Sequence, residues 1–163
     1  MNERLDWLEK AAIGNLSDHR ATADYLQKEG VTTLTILLAG AAGGLAYSVK
    51  GVELGKLWLV IGSGAFSIYL FVLCALLVRK VLTIGPLFTI YNEPGKLNKK
   101  SLSLDEIREE ELVQAQDRIC HTINRNERVA AQLNLLRMLA ISSPLVFIGC
   151  SCWVAVVAFL VSC

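Results

Sequence analysis

Three long stretches without a charged side chain constrain this chain more than anything else in it. Residues 31–49, 57–78 and 138–163 contain no Asp, Glu, His, Lys or Arg. A helix crosses a hydrocarbon core of ~30 Å with roughly 20 residues at ~1.5 Å each, so every one of these stretches is long enough to span. Residues 50–56 join the first two, and with two glycines in so short a connection they force an antiparallel helical hairpin.

The rest of the composition agrees. Of 163 residues, 53% are hydrophobic and 19% charged, against about 45–50% and about 25% in soluble domains. The clustering of apolar residues excludes a soluble enzyme domain and a disordered chain. Sixteen basic against fifteen acidic residues leave a net charge of +1, which excludes nucleic-acid binding driven by net charge. The expected fold is an all-α membrane protein in an oligomeric bundle. It has three transmembrane helices, an N-terminal amphipathic helix and a long cytosolic helix. The expected segments are 1–30 (N-terminal helix), 31–78 (hairpin), 79–137 (cytosolic linker and long helix) and 138–163 (third span). The third span contains Pro144 behind Ser142 and Ser143, so it either restarts there, helped by serine capping and proline in a first turn, or continues as a kinked helix.

Charge bias sets the expected orientation. Arg79 and Lys80 follow the second span and Arg125, Arg128 and Arg137 precede the third, whereas the short loop offers Lys50 and Lys56. The positive-inside rule therefore puts the N-terminus and residues 79–137 in the cytosol and the C-terminus outside. The opening residues are charged and amphipathic, so no signal peptide is expected.

In residues 1–30, Leu5, Leu8, Ala12, Leu16, His19, Ala23 and Leu26 recur at spacings of three and four, which makes one apolar stripe. Gly14 and Asn15, with Ser17, are a point at which this pattern either divides into two shorter helices or runs on as one. Its acidic residues (Glu3, Asp6, Glu9, Asp18, Asp24, Glu29) outnumber its basic ones (Arg4, Lys10, Arg20, Lys28), so it suits a protein surface better than anionic lipid. Trp7 lies off the stripe and marks a second contact surface. After the second span come a break at Gly85 and Pro86, a β-prone run at 87–91, a turn at 92–95 and a basic linker at 96–100. Ser103, Leu104, Asp105 and Glu106 then match a capping box, and no proline or glycine follows before Arg137.

That long helix carries two faces. Leu112, Ala115, Ile119, Thr122, Asn126, Val129, Leu133 and Leu136 form a near-heptad seam suited to coiled-coil or bundle packing, with Asn126 able to fix register or oligomer number. Arg118, His121, Arg125 and Arg128 form the other. Such a face is either solvated charge or an anion-binding site built from forked guanidinium donors. Asn124, Gln132 and Asn134 lie nearby.

No catalytic residue, metal-ligand set or cofactor is expected. The spans hold no ionisable group of the kind that marks proton relays or ion-coupled transport. Gly62, Ser63 and Gly64 loosely match an intramembrane serine-protease motif without a histidine base in any span. Cys74, Cys120, Cys150 and Cys152 read as small apolar residues, and Cys163 as a candidate intersubunit disulfide. Small residues crowd the hairpin, among them Gly40, Gly44, Ser63 and Ser67. They serve either tight helix packing or the lining of a pore made by several copies, with Thr32, Thr33, Thr35 and Ser48 as further candidates to wet it.

This layout resembles the small membrane effectors of bacterial anti-phage systems. SLATT-type effectors are similar in the hairpin and following helix (31–78, then 103–137), and the membrane effector of the Hailong system is similar in adding an N-terminal helix and a third span. The resemblance implies an inner-membrane homo-oligomer, a tetramer or higher, that conducts ions in abortive defence. It implies a channel closed by an N-terminal plug and opened by an oligodeoxyadenylate or related nucleotide signal from a cytosolic partner. By position, Leu5, Trp7 and Leu8 would be the plug, and Arg118, Arg125 and Arg128 the ligand contacts. The alternatives are a non-conducting membrane scaffold that recruits a cytosolic partner, and a holin or superinfection-exclusion protein.

Overall fold

In the computed structural model, which describes residues 3–83 and 103–162, nearly every residue is helical. Helix α1 runs Glu3–Glu53, α2 Leu57–Leu77 with a π-helical turn at Val78–Leu82, α3 Leu104–Ile141 and α4 Ser143–Ser162. Three helical runs are long and apolar enough to cross a membrane: Glu3–Glu53, Leu57–Leu82 and Leu104–Leu160. The expected features at Gly85 and Pro86, at 87–91, 92–95 and 96–100, and Cys163, lie outside the described residues.

The chain forms two compact units. In the first, residues 3–26 of α1 pack on residues 103–130 of α3. The two helices run parallel, because Arg108 meets Asp6 and Glu9 near both starts and Asn126 Nδ2 donates to His19 O at 2.8 Å further along. Leu5 and Leu16 from α1 and Ala115 and Ile119 from α3 make the core. The α1 stripe therefore meets the α3 seam. α1 does not divide at Gly14 and Asn15. A helix-interior glycine costs about 1 kcal/mol relative to alanine, and burial of Leu16 alone is worth about 1.5–3 kcal/mol, so packing carries the helix through.

The start of α3 is a capping box. Ser103 N–H and hydroxyl donate to Glu106 Oε2 at 2.7 and 2.8 Å, and Glu106 N–H donates to Ser103 Oγ at 3.3 Å. The backbone bond from Ser103, then its hydroxyl, hold the Glu106 carboxyl below its ordinary pKa. A lowered folded pKa means the stabilisation is complete above the ordinary carboxylate range and is lost as pH falls through the folded value. Amide protection in the first turn of α3 is accordingly expected to fall on acidification. In Glu106→Gln it should be lower at neutral pH and no longer follow this titration, as hydrogen exchange would read.

The second unit holds residues 27–83 and 131–162. Here α2 lies between α1 and α4. On one side Gly44 meets Ser67, Phe66 and Ser63, Gly40 meets Leu70 and Gly51 meets Val60; on the other, Gly62 meets Ser151 and Phe147. The α1–α2 connection turns at Gly55, whose φ of 64° favours glycine, and closes with Lys56 N–H on Gly51 O at 2.9 Å. The π turn buries Val81 and sets Val81 and Leu82 against Gly30. Glu29 and Arg137, the charges that bound the first and third spans in the sequence, pair with each other, and Arg137 Nε donates to Thr33 Oγ1 at 3.2 Å.

Between α3 and α4 the helix breaks at Ser142. Pro144 has no N–H, so the carbonyl four residues earlier loses its usual donor. The neighbouring carbonyl, that of Leu139, accepts from Ser142 Oγ at 2.8 Å and from Tyr69 Oη of α2 at 3.0 Å. Hydrogen bonds between spans are worth about 0.6–2 kcal/mol, so Tyr69→Phe is expected to lower stability by that amount in a reversible unfolding titration in mixed micelles.

Candidate ligand-binding face and spanning helices

The four residues of the basic face part company in the structure. Arg118 is 8% exposed and ion-paired with Glu111, one heptad earlier on α3. It lines a small crevice of about 40 Å³ with Glu9, Ile13 and Leu16 of α1. Its angular position explains this, since three residues before His121 and three after Ala115 it borders the seam that α1 covers. His121 and Arg128 are exposed and Arg125 half-buried. Arg125 and Arg128 meet no carboxylate among the described residues.

The sequence reading missed Arg20. Ile13 and Arg118 line one crevice, and Arg20 and Arg125 follow them by one heptad each on parallel helices. Both are half-buried, and they adjoin His19 and Asn126, which are hydrogen-bonded to each other. Helical periodicity thus puts an arginine from α1 and one from α3 on the same flank of the pair. A periodicity along α3 alone does not contain Arg20; the α1–α3 pairing adds it.

Of the residues assigned by resemblance to a plug, Leu5 is buried in the α1–α3 core, Leu8 is half-buried, and Trp7 is exposed. Arg108 ties this part of α1 to α3: Nε donates to Glu9 Oε1 at 2.7 Å and Nη2 to Glu9 Oε2 at 3.0 Å and to Asp6. The carboxylate of Glu9, then that of Asp6, raise the Arg108 pKa further. A raised value keeps the cationic pairing intact below it, so this guanidinium stays charged at every pH the protein meets.

Gly40, Gly44, Ser63 and Ser67 are used for packing within the chain. Ser63 and Ser67 are 2% and 0% exposed, and their hydroxyls donate to Leu59 O and Ser63 O. Thr33 is buried, and Ser48 Oγ donates to Val60 O at 3.1 Å. Thr32 and Thr35 differ, being exposed with hydroxyls bonded back to Lys28 O and Val31 O at 3.0 and 3.1 Å. Ala39, Ala42 and Ala46 continue that exposed face at alternating spacings of four and three.

A second opening lies within the spans. Gly40, Gly43, Gly44 and Tyr47 of α1, Leu59, Ser63 and Phe66 of α2, and Pro144 and Phe147 of α4 line a groove of about 530 Å³.

The chain matches no protein-family model, no curated protein and no solved structure.

Proposed function

We propose that this chain is the subunit of a ligand-gated, ion-conducting homo-oligomer of the bacterial inner membrane. It acts as an effector of anti-phage defence that dissipates the membrane potential. The observation that carries this reading is the exposed α1 face of Thr32, Thr35, Ala39, Ala42 and Ala46. Elsewhere the spans present bulky apolar residues outward as well, with Ile68, Phe71 and Val72 on α2 and Leu145, Ile148 and Trp153 on α4. Bulky faces suit lipid; a small face with hydroxyls suits close helix contact and a lumen that must accept water. In this reading α1 lines the pore of a tetramer or higher oligomer.

The signal is anionic, a nucleotide or oligonucleotide made by a cytosolic partner. Arg125, Arg128 and Arg20 supply forked donors to its phosphates, with His121 beside them, while Arg118 stays paired with Glu111 of its own helix in the crevice against α1. The N-terminal part of α1 holds the pore shut while docked on α3. The N-terminus and α3 face the cytosol, as the positive-inside bias supports.

Deleting residues 1–15 is expected to depolarise cells on expression, while the full-length protein leaves a potential-sensitive dye unchanged until the signal is supplied. Arg125→Glu is expected to abolish the response and keep the oligomer. An Arg125→Glu chain that fails to assemble would make that face structural. If neither full-length nor shortened protein depolarises, with both shown in the membrane, the gate reading fails and a non-conducting scaffold, recruiting a partner through residues 103–137, replaces it.

A further inference from the structure

The groove within the spans adjoins the exposed face assigned to the pore, since Gly43 follows Ala39 by four residues and precedes Ala46 by three, and nothing in the pore reading requires it. Gly40, Gly43 and Gly44 bring α1 low along one side, Phe66 rises from α2, and Pro144 and Phe147 close it from α4. We propose that this groove is a binding site for one acyl chain of a membrane phospholipid.

Three observations select that occupant. The lining residues belong to stretches apolar enough to cross a bilayer, so the medium at their depth is hydrocarbon. The one buried hydroxyl among them, that of Ser63, already donates to Leu59 O, which leaves little for a headgroup or for water. Size decides between lipid and protein. A helix is ~10–12 Å across with its side chains and rises ~5.4 Å per turn, so about 530 Å³ admits roughly one turn of a neighbouring span. A flexible chain of methylenes conforms to the groove along its length and recovers the dispersion contacts that an empty space forfeits.

Gly43 makes the proposal testable without disturbing the fold. A Cβ there meets nothing within 4 Å, in contrast to Gly44 beside it, so a side chain at position 43 enters the groove instead of the α1–α2 contact. The full-length protein, purified in mild detergent, is expected to retain phospholipid in native mass spectrometry and in extracted-lipid analysis. Gly43→Phe should retain about tenfold less with unchanged helicity and oligomeric state; Gly43→Leu, smaller, serves if the phenylalanine variant misfolds. Retention by the variants equal to that of the parent chain overturns the site, as does a parent chain that retains no lipid. Loss of the oligomer with retained lipid also overturns it and makes the groove a contact between copies.

Discussion

Gly44→Leu is expected to prevent the hairpin from packing, with loss of the folded protein from the membrane fraction. A Cβ at this position would overlap Ser67 Oγ and lie 2.9 Å from Phe66 Cδ1 and 3.3 Å from the backbone oxygen of Ser63. Ser67 is fully buried and its hydroxyl is bonded to that same Ser63 oxygen at 2.9 Å, so neither neighbour has space to yield. Alanine alone is expected to cost about 1–3 kcal/mol through overpacking. Leucine adds three carbons, which α1 and α2 admit only by separating, and separation also breaks the contacts of Gly40 with Leu70 and of Gly51 with Val60. Two companions locate the cause: Gly43→Leu should be tolerated, and Ser67→Gly should rescue Gly44→Ala. Thermal unfolding in detergent, followed by circular dichroism, reads all four. A Gly44→Leu chain as stable as its parent would mean that α1 and α2 do not meet there.

Arg108→Asp is expected to release the first turns of α1 from α3. It removes the guanidinium that holds Asp6 and Glu9 of α1, with Asp105 at 4.0 Å, and puts a further carboxylate among them. Hydrogen exchange in residues 3–12 should rise toward that of an exposed helix end, while residues 19–26, held by Leu16 and by the Asn126–His19 hydrogen bond, keep more of their protection. Salt should weaken the parent contact, since these groups are partly exposed and screened. Pairing Arg108→Glu with Glu9→Arg should restore protection. If α1 closes a pore, Arg108→Asp should also leak without any signal. Release without leak would separate the docking of α1 from gating.

Much of the architecture was legible because membrane burial leaves coarse marks. Three uncharged stretches, a short connection and a serine–glutamate box gave the spans, the hairpin turn and the start of α3. Ser142, Ser143 and Pro144 marked a break that the structure places at Ser142. Continuity of α1 was not legible, since Gly14 and Asn15 are local breakers and only tertiary packing overrides them. Nor was the π turn at Val78–Leu82, which depends on the seat that Gly30 offers. The basic face was readable as a periodicity. That Arg118 belongs to the α1–α3 contact, and that Arg20 shares the flank of Arg125, depends on which helix covers the seam, and a period does not say what it packs against. The small residues left packing and pore lining open together. Contacts assign Gly44, Ser63 and Ser67 to packing and leave Thr32 and Thr35 exposed.

The bond from Tyr69 to Leu139 bears on how the chain is made. An apolar medium leaves a backbone carbonyl no solvent to turn to, and the carbonyl of Leu139 accepts both from the nearby Ser142 hydroxyl and from one seventy residues earlier in the chain. The end of α3 is therefore completed in part by a side chain of α2, a helix that precedes it in translation.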